Sequence, residues 1–218
     1  RIQKHGANIT DCLCVTCREQ KEYNRLKRKV IRMKLGFIGT GNMASAIMGG
    51  IIKNNVIPAE EIIGADLFAP GREKVKELYG INVTDSNKEV IEKSEVVIFS
   101  VKPQFYADVI QEVKDLVRPE QLIITIAPGK TLAWLAEQFG KDVKIVRTMP
   151  NTPAMVGEGM TAATPNEHVT KEELDYACKI LSAFGKVEVV AEHMMDAVVA
   201  VSGSSPAYVF MFIEAMAD

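Results

Sequence analysis

The run GTGNMA at residues 39–44 has the glycine spacing of a turn that holds the pyrophosphate of a dinucleotide. The apolar pattern KLGFI precedes this run, and a helical pattern over Ser45–Lys53 follows it. In such a turn Gly39 permits the sharp bend, Gly41 lets the backbone approach the anion, and Ala44 allows close helix packing. The free N–H groups at the helix start favour a bound anion. The pattern therefore predicts a nucleotide site.

Asp66 ends the next predicted strand, 25 residues after Gly41. A carboxylate at that distance can accept hydrogen bonds from a ribose 2′-hydroxyl and repels a 2′-phosphate, so it favours NADH over NADPH. Two alternatives stay open. Asp66 can serve as an ordinary helix cap, and Arg72 is close enough in sequence to reach a 2′-phosphate.

Two further segments follow predicted strands, at the sheet edge where ligands of such folds bind. Ser100–Pro103 contains Lys102, which fits either a cofactor contact or a solvated turn. Arg147–Pro153 contains two prolines that fix the path of the loop, which would place Asn151 and Thr152 near a nicotinamide. Taken alone, this second loop is as compatible with a structural role as with a functional one.

The segment VSGSSPAY at residues 201–208 predicts a helix with Ser205 as its N-cap and Pro206 at its first position. Small residues at a helix start predict a carboxylate-binding site. These candidates are Ser202, Gly203, Ser204 and Ser205. The helix over residues 206–218 is apolar on nearly every side, so it must be covered all round. We therefore expect the chain to be truncated within a helical domain, or to be covered by a partner subunit.

The elements that would position these residues alternate between strand and helix. Consecutive apolar positions, typical of buried parallel strands, occur at Lys34–Gly39, Ile62–Asp66, Glu95–Val101, Leu122–Ala127 and Val143–Arg147. Helical spacing follows Pro103 and Thr131. Capping boxes are predicted at Ser86/Glu89 and Thr170/Glu173, and Cys178 lies on an apolar helical stripe. The sequence thus predicts an α/β fold with a doubly wound, mostly parallel sheet.

Charge divides the 218 residues unevenly. Residues 1–32 contain nine Lys/Arg and three Asp/Glu, hence +6, whereas residues 33–218 contain 17 and 25, hence −8. We interpret the first segment as a disordered basic leader upstream of a true start at Met33, rather than a nucleic-acid or membrane patch. Zinc binding by Cys12, Cys14, Cys17 and His5 is the weaker alternative; we predict no metal site.

The composition is that of a globular protein, with 47% hydrophobic and 25% charged residues. The sequence contains no run of about 18 consecutive apolar residues, so it predicts no transmembrane helix. It also does not begin with a cleavable apolar signal. We therefore expect a cytoplasmic protein with neither membrane nor nucleic-acid partners. The expected organisation is a leader at 1–32, a dinucleotide-binding domain at 33–193 and the start of a helical domain at 194–218.

The motifs GFIGTGNMA, SVKP, RTMPNTPA, EGMTA and VSGSSPAYVFMFIEAMAD, in this order, resemble the pyrroline-5-carboxylate reductase family from Met33 to Asp218. The resemblance implies a Rossmann-like domain followed by an all-helical dimerisation domain, and self-association through the latter. The chain departs from the family at Ala127–Lys130, where the family usually has Ala-Ala-Gly-Val. It also ends before the family's Pro-Gly-Gly-Thr substrate loop, so the resemblance leaves open whether this chain turns over on its own.

The resemblance also implies a site. It assigns the pyrophosphate to Ile38, Gly39, Thr40, Gly41, Asn42 and Met43. It assigns the rest of the cofactor to Asp66, Asn87, Ser100, Val101, Lys102, Pro103 and Ala127, with Asn151 near the nicotinamide.

The implied reaction is reduction of (S)-1-pyrroline-5-carboxylate to L-proline by NAD(P)H, the last step of proline biosynthesis. A protonated C=N bond accepts hydride without a positioned acid, whereas carbonyl reduction forms an alkoxide that usually requires one. Residues 194–218 contain no Lys, Arg or His. Their absence disfavours one alternative, a 3-hydroxyacid or 6-phosphogluconate type dehydrogenase with a lysine on the corresponding helix. The other alternative is a nucleotide-binding module without turnover.

Overall fold

The structure, a computed structural model, describes residues 33–217. The leader with its candidate zinc ligands lies outside these residues. The strands are β1 Met33–Ile38, β2 Ile62–Ala65, β3 Asn82–Thr84, β4 Ser94–Phe99, β5 Leu122–Thr125, β6 Lys144–Met149, β7 Gly159–Pro165 and β8 Gly185–Val189. They form one eight-stranded sheet in the order β3-β2-β1-β4-β5-β6-β7-β8. Every neighbouring pair is parallel except β6 and β7. The predicted doubly wound, mostly parallel sheet is confirmed.

All five predicted strands are present, with ends shifted by one or two residues. Three strands were not predicted: β3, β7 and β8. The connection from β6 to β7 is short and contains only a single 3₁₀ segment at Thr152–Val156. A parallel crossover needs a dozen or more residues, so the chain turns back and β7 runs antiparallel.

Within residues 33–217, eight α-helices cover the sheet or extend beyond it. They are α1 Asn42–Lys53, α2 Ala69–Tyr79, α3 Asn87–Lys93, α4 Tyr106–Val113, α5 Leu132–Phe139, α6 Lys171–Leu181, α7 Met195–Val198 and α8 Ser205–Ala217. The core has two layers because neighbouring strand residues point to opposite faces. Leu35 and Phe37 belong to one layer, and Ile38 belongs to the other.

The predicted capping box is confirmed at the start of α6 and only half formed at the start of α3. At α6, Thr170 and Glu173 form both hydrogen bonds of the capping box. At α3, Ser86 accepts the N–H of Glu89. The side chain of Glu89 instead binds Thr84 and Lys93, so the return bond predicted there is wrong. A closer threonine and a lysine one turn along outcompete the Ser86 N–H.

Cys178, predicted to lie within the core, is half-buried on α6. Burial, with the nearby Asp175 carboxylate, raises the pKa of the thiol. The helix is amphipathic, and Cys178 lies at the border of its buried face beside the fully buried Ala177.

The last 26 described residues, Glu192–Ala217, form one helical stretch. A π-helical segment, Val199–Gly203, joins α7 to α8, with the Ser204 N–H donating to the Val199 carbonyl at 3.1 Å. Ser205 therefore lies inside a continuing helical stretch, and the prediction that it is the N-cap is wrong. By length and composition alone this stretch is long and apolar enough to cross a membrane, although the sequence predicted no transmembrane helix. A single helix that meets these two criteria is weak evidence for a membrane span.

Helix α8 has no buried residues. Its large apolar side chains are at least half exposed: Tyr208, Val209, Phe210, Met211, Phe212, Ile213 and Met216. The predicted all-round apolar character is confirmed, and an apolar surface of this size is typical of an interaction surface.

Candidate functional site

The turn between β1 and α1 lies at the point where the strand order of the sheet reverses: β2 and β3 follow on one side of β1, and β4, β5 and β6 follow on its other side. Ligands of open α/β sheets usually bind at this point. Gly39 has a φ of +96°. A Cβ at Gly39 would lie 2.8 Å from the main-chain nitrogen of Val101. No side chain larger than hydrogen fits there, so the turn packs directly on the segment that follows β4.

Gly41 is the N-cap of α1 and forms no side-chain capping bond. A Cβ at Gly41 would meet no atom within 4 Å. The space over the helix start is therefore open, and the first N–H groups of a 12-residue helix face it. This arrangement fits the pyrophosphate of a dinucleotide.

Two cavities open on either side of this turn. The first, which we call the Asp66 cavity, has a volume of about 420 Å³. Its lining is predominantly apolar with three carboxylates, and consists of Gly39, Ala65, Asp66, Leu67, Phe68, Asn87, Val101, Phe105, Asp108, Val109 and Glu112. A half-closed apolar cavity with a few polar groups is typical of a cofactor site.

Asp66 holds the turn in place. One carboxylate oxygen accepts the Thr40 N–H at 2.8 Å and the Thr40 hydroxyl at 3.0 Å. The other accepts the Phe68 N–H at 3.0 Å. The N-cap of α2 is Phe68, so Asp66 is not that helix's cap. Arg72 donates to the main-chain carbonyl of Asp66 at 2.5 Å.

The second cavity, which we call the Asn151 cavity, has a volume of about 450 Å³. It is more polar and more open than the Asp66 cavity. Its lining consists of Gly41, Asn42, Met43, Ser100, Val101, Lys102, Pro103, Ile126, Ala127, Pro128, Met149, Pro150, Asn151, Thr152 and Gly203. Val101 borders both cavities, so the two form neighbouring parts of one edge.

Asn151 joins three segments through its side chain. Its carbonyl oxygen accepts the Met160 N–H at 2.8 Å, which orients the amide. Its NH₂ group then donates to the Ser202 hydroxyl oxygen at 3.1 Å. Asn151 therefore links the end of β6 to β7 and to the π-helical segment Val199–Gly203.

The structure brings most of the predicted site residues to the two cavities and leaves five outside them. Ile38 and Thr40 are buried beneath the turn. Ser202 contacts Asn151 from outside the cavity. The hydroxyls of Ser204 and Ser205 donate to the carbonyls of Val199 and Val201, so they are occupied within their own helix.

Sequence reasoning missed several residues that line the Asp66 cavity. Leu67, Phe68 and Phe105 are 85%, 66% and 50% exposed. Asp108 and Glu112, one helical turn apart on α4, supply two more carboxylates, and Glu112 accepts a hydrogen bond from Asn87 at 2.8 Å. The adjacent Leu67 and Phe68 directly after Asp66 were a usable signal, because large apolar side chains that cluster at a surface mark binding sites whereas single ones do not.

A larger cavity of about 760 Å³ contains none of the predicted site residues; Asn54, Lys179 and Lys186 are among its lining residues. Its size does not outweigh the chemistry of the two smaller cavities, which flank an open helix start. The fold and this edge define a Rossmann-type dinucleotide-binding protein.

Comparison with known proteins gives the family. Residues 34–129 match the family described as NADP oxidoreductase coenzyme F420-dependent, and residues 192–218 match pyrroline-5-carboxylate reductase dimerisation. The pyrroline-5-carboxylate reductase of Escherichia coli is 46% identical over 85% of this chain and 69% of its own length. That of Arabidopsis thaliana is 40% identical over 85% and 67%, respectively. The chain belongs to the pyrroline-5-carboxylate reductase family.

Solved structures agree with this assignment. A pyrroline-5-carboxylate reductase from Coxiella burnetii has a TM-score of 0.79 at 35% identity, covering 84% of this chain and 68% of that one. The Plasmodium falciparum pyrroline carboxylate reductase, solved with NADP bound, has a TM-score of 0.76 at 33% identity, covering 85% and 68%. A Mycobacterium tuberculosis 3-hydroxyisobutyrate dehydrogenase, at 15% identity and a TM-score of 0.64 over 78% and 58%, shares the fold alone.

The family match also accounts for the exposed helix. The dimerisation match covers residues 192–218 and includes the membrane-length stretch Glu192–Ala217. Its apolar surface is therefore a surface for self-association, as the sequence predicted.

Proposed function

We propose that this protein reduces (S)-1-pyrroline-5-carboxylate to L-proline with a nicotinamide cofactor, as the last step of proline biosynthesis. The observation that carries this proposal is the open start of α1 at Gly41, between two cavities, in a chain of this family. When bound, the reduced nicotinamide supplies the hydride.

The placement of the cofactor follows from the chemistry of the two cavities. Apolar side chains of Leu67, Phe68 and Phe105 suit the adenine ring in the Asp66 cavity. The pyrophosphate would lie against the turn at residues 39–43, and the nicotinamide would enter the Asn151 cavity. A 420 Å³ and a 450 Å³ cavity joined at Val101 are compatible with the two halves of a dinucleotide.

Orientation of two reactants is the main catalytic contribution we propose for this chain. The protonated C=N bond of the substrate is already an electrophile, so its reduction needs no positioned acid. Among the described residues from Met194 onward there is no Lys, Arg or His to act as one. This feature favours imine reduction over the carbonyl chemistry of 3-hydroxyacid dehydrogenases.

Ser202 is the serine we propose for a substrate carboxylate: it precedes Gly203, which lines the Asn151 cavity, and itself lines a neighbouring cavity of about 390 Å³. Its oxygen accepts the hydrogen bond from Asn151, which leaves its own proton available for donation. Ser204 and Ser205 already donate their protons to main-chain carbonyls. We thus narrow the predicted carboxylate site from four small residues to Ser202 and its neighbour Gly203.

We further propose a preference for NADH over NADPH. Three carboxylates, Asp66, Asp108 and Glu112, line the Asp66 cavity, and no Lys or Arg is among its lining residues. Like charges about 4 Å apart repel by about 1 kcal/mol even in water. Arg72 is held on the main-chain carbonyl of Asp66 and would have to leave it to bind a 2′-phosphate.

Steady-state kinetics with both cofactors test this preference. In the full-length enzyme we expect kcat/KM for NADH to exceed that for NADPH by about tenfold, the effect of about 1.4 kcal/mol. Asp66→Asn keeps an acceptor for Thr40 but removes the charge, so it should reduce the ratio about tenfold. Glu172→Gln, at an exposed acid on α6 that lines neither cavity, should leave the ratio unchanged. A wild-type preference for NADPH would contradict the proposal.

The cellular location and the domain boundaries are also proposals. We propose a cytoplasmic enzyme with a dinucleotide-binding domain at 33–193 and a helical substrate and dimerisation region from residue 194. Fractionation of the source cells, with NADH-dependent pyrroline-5-carboxylate reduction as the marker, tests the location.

A further inference from the structure

An ion pair between a buried arginine and a partly exposed glutamate lies where the dimerisation match begins. Arg147 on β6 is 4% exposed, and its guanidinium contacts the Glu192 carboxylate at 2.9 Å. Arginine is almost never fully buried without a partner, so this carboxylate balances its charge. Glu192 is also the first residue of the dimerisation match.

The same oxygen of Glu192 has a second partner. It accepts the N–H of Leu132 at 2.7 Å. Leu132 is the first residue of α5, where a carboxylate also interacts favourably with the helix dipole. One carboxylate oxygen therefore joins β6, the start of α5 and the start of the dimerisation region.

These three elements carry parts of the Asn151 cavity. The loop that ends at Leu132 begins at Ala127 and Pro128, which line that cavity. Strand β6 continues from Arg147 to its last residue, Met149, which also lines that cavity. The helical stretch that starts at Glu192 supplies Gly203.

Two other contacts frame the ion pair. Val190 exchanges hydrogen bonds with β7, its N–H donating to Ala163 at 3.0 Å and its carbonyl accepting from Thr164 at 2.7 Å. Farther along, Ser202 accepts from Asn151. The segment between Val190 and Ser202 is thus held at both ends, with Glu192 as its charged contact to the sheet.

We propose that Glu192, through Arg147 and Leu132, is a positioning residue that sets the dimerisation region over the nicotinamide end of the cofactor. The inference rests on the proposed function. Pairs of this kind are weak contributors to stability, but sharing one oxygen between two fixed donors determines where the carboxylate, and so the helix it begins, must lie.

Variants of Glu192 in the full-length enzyme test this role. Glu192→Ala should lower kcat by between about tenfold and a hundredfold, because misplacement by about 1 Å costs on that order. The Kd for NADH should stay within about twofold of wild type, because Glu192 does not line the Asp66 cavity, where the adenosine half would bind. Glu192→Gln retains an oxygen for Leu132 and Arg147 and should recover most of kcat. Glu172→Ala, an exposed acid on α6, is the matched control.

Amide hydrogen exchange gives a readout that does not depend on the substrate. Glu192→Ala should accelerate exchange at Leu132 and across residues 199–204 by tenfold or more, whereas Glu172→Ala should not. If wild type fails to reduce pyrroline-5-carboxylate, the proposed function fails, and the exchange data still decide the positioning role.

Two results would overturn the inference. One is wild-type kcat and wild-type exchange in Glu192→Ala. The other is a parallel loss of NADH affinity and kcat, which would indicate general loosening of the fold. Arg147→Met provides a second variant: combined with Glu192→Ala it should lower kcat no further than Glu192→Ala alone, and additive losses would also overturn the inference.

Discussion

The Asp66 cavity and the Asn151 cavity have similar volumes but different origins. The first is lined entirely by segments of the sheet domain, between Gly39 and Glu112. The second takes Gly203 from the helical stretch and depends on Asn151 contacting Ser202. The adenosine end of the cofactor can therefore bind to one domain alone, whereas the reacting end requires the dimerisation region to be in place.

Gly39→Ala should break both cavities at once. A side chain at φ +96° is strained, and its Cβ would lie 2.8 Å from the Val101 nitrogen. We expect the free energy of unfolding to fall by about 3 kcal/mol. Urea denaturation measures the loss; a change below about 1 kcal/mol would show that the turn relaxes without cost.

Gly41→Val should weaken binding of the whole dinucleotide without affecting a ligand that occupies only the Asp66 cavity. A Cβ there meets no protein atom within 4 Å, so only the poorer N-cap should lower the free energy of unfolding, by about 1 kcal/mol or less. The valine occupies the space over the start of α1, and the Kd for NADH should rise about thirtyfold, or about 2 kcal/mol. Adenosine, which needs only the Asp66 cavity, should bind unchanged. Isothermal titration calorimetry with both ligands checks the contrast.

Tyr106→Phe should have the smallest effect, on the Asn151 side only. The Tyr106 hydroxyl donates to the Phe99 carbonyl and accepts the Ile126 N–H, joining the ends of β4 and β5. Losing these bonds should cost about 1 kcal/mol at pH 7.

Tyr106 also gives a pH dependence. Burial raises its pKa well above the ordinary value of 10. Above pH 10 the unfolded tyrosine loses its proton while the folded one keeps it, so wild-type stability should fall by up to about 1.4 kcal/mol per pH unit. Tyr106→Phe should lack this contribution. Equal slopes between pH 10 and 11 for the two proteins would contradict the assignment.

The Asp66 side was more predictable from sequence than the Asn151 side. The turn at residues 39–44, the carboxylate at Asp66 and the strands around them all carry local signals, because each part lies within one β-α-β unit. What could not be read locally was the double use of Asp66, whose carboxylate also fixes the backbone of Thr40 and Phe68.

The Asn151 side depends on contacts between distant parts of the chain. Asn151 and Ser202 are 51 residues apart, and Arg147 and Glu192 are 45 apart. Strand β7, with the sequence GMTAATP, lacks the apolar run that identified its neighbours. No local spacing in the sequence predicts these pairs, because the residues come together only when the sheet and the helical stretch fold.

The π-helical segment Val199–Gly203 has a consequence for the whole assembly. An α-helix advances about 100° per residue, and a π-turn contains one residue more than an α-turn. Deleting one residue from this segment would therefore rotate α8 by roughly a quarter turn about its axis. Because α8 is apolar on nearly every side, its polarity toward a second subunit would stay the same, but different side chains would face that subunit. This one extra residue therefore determines which side chains of α8 are presented to the partner.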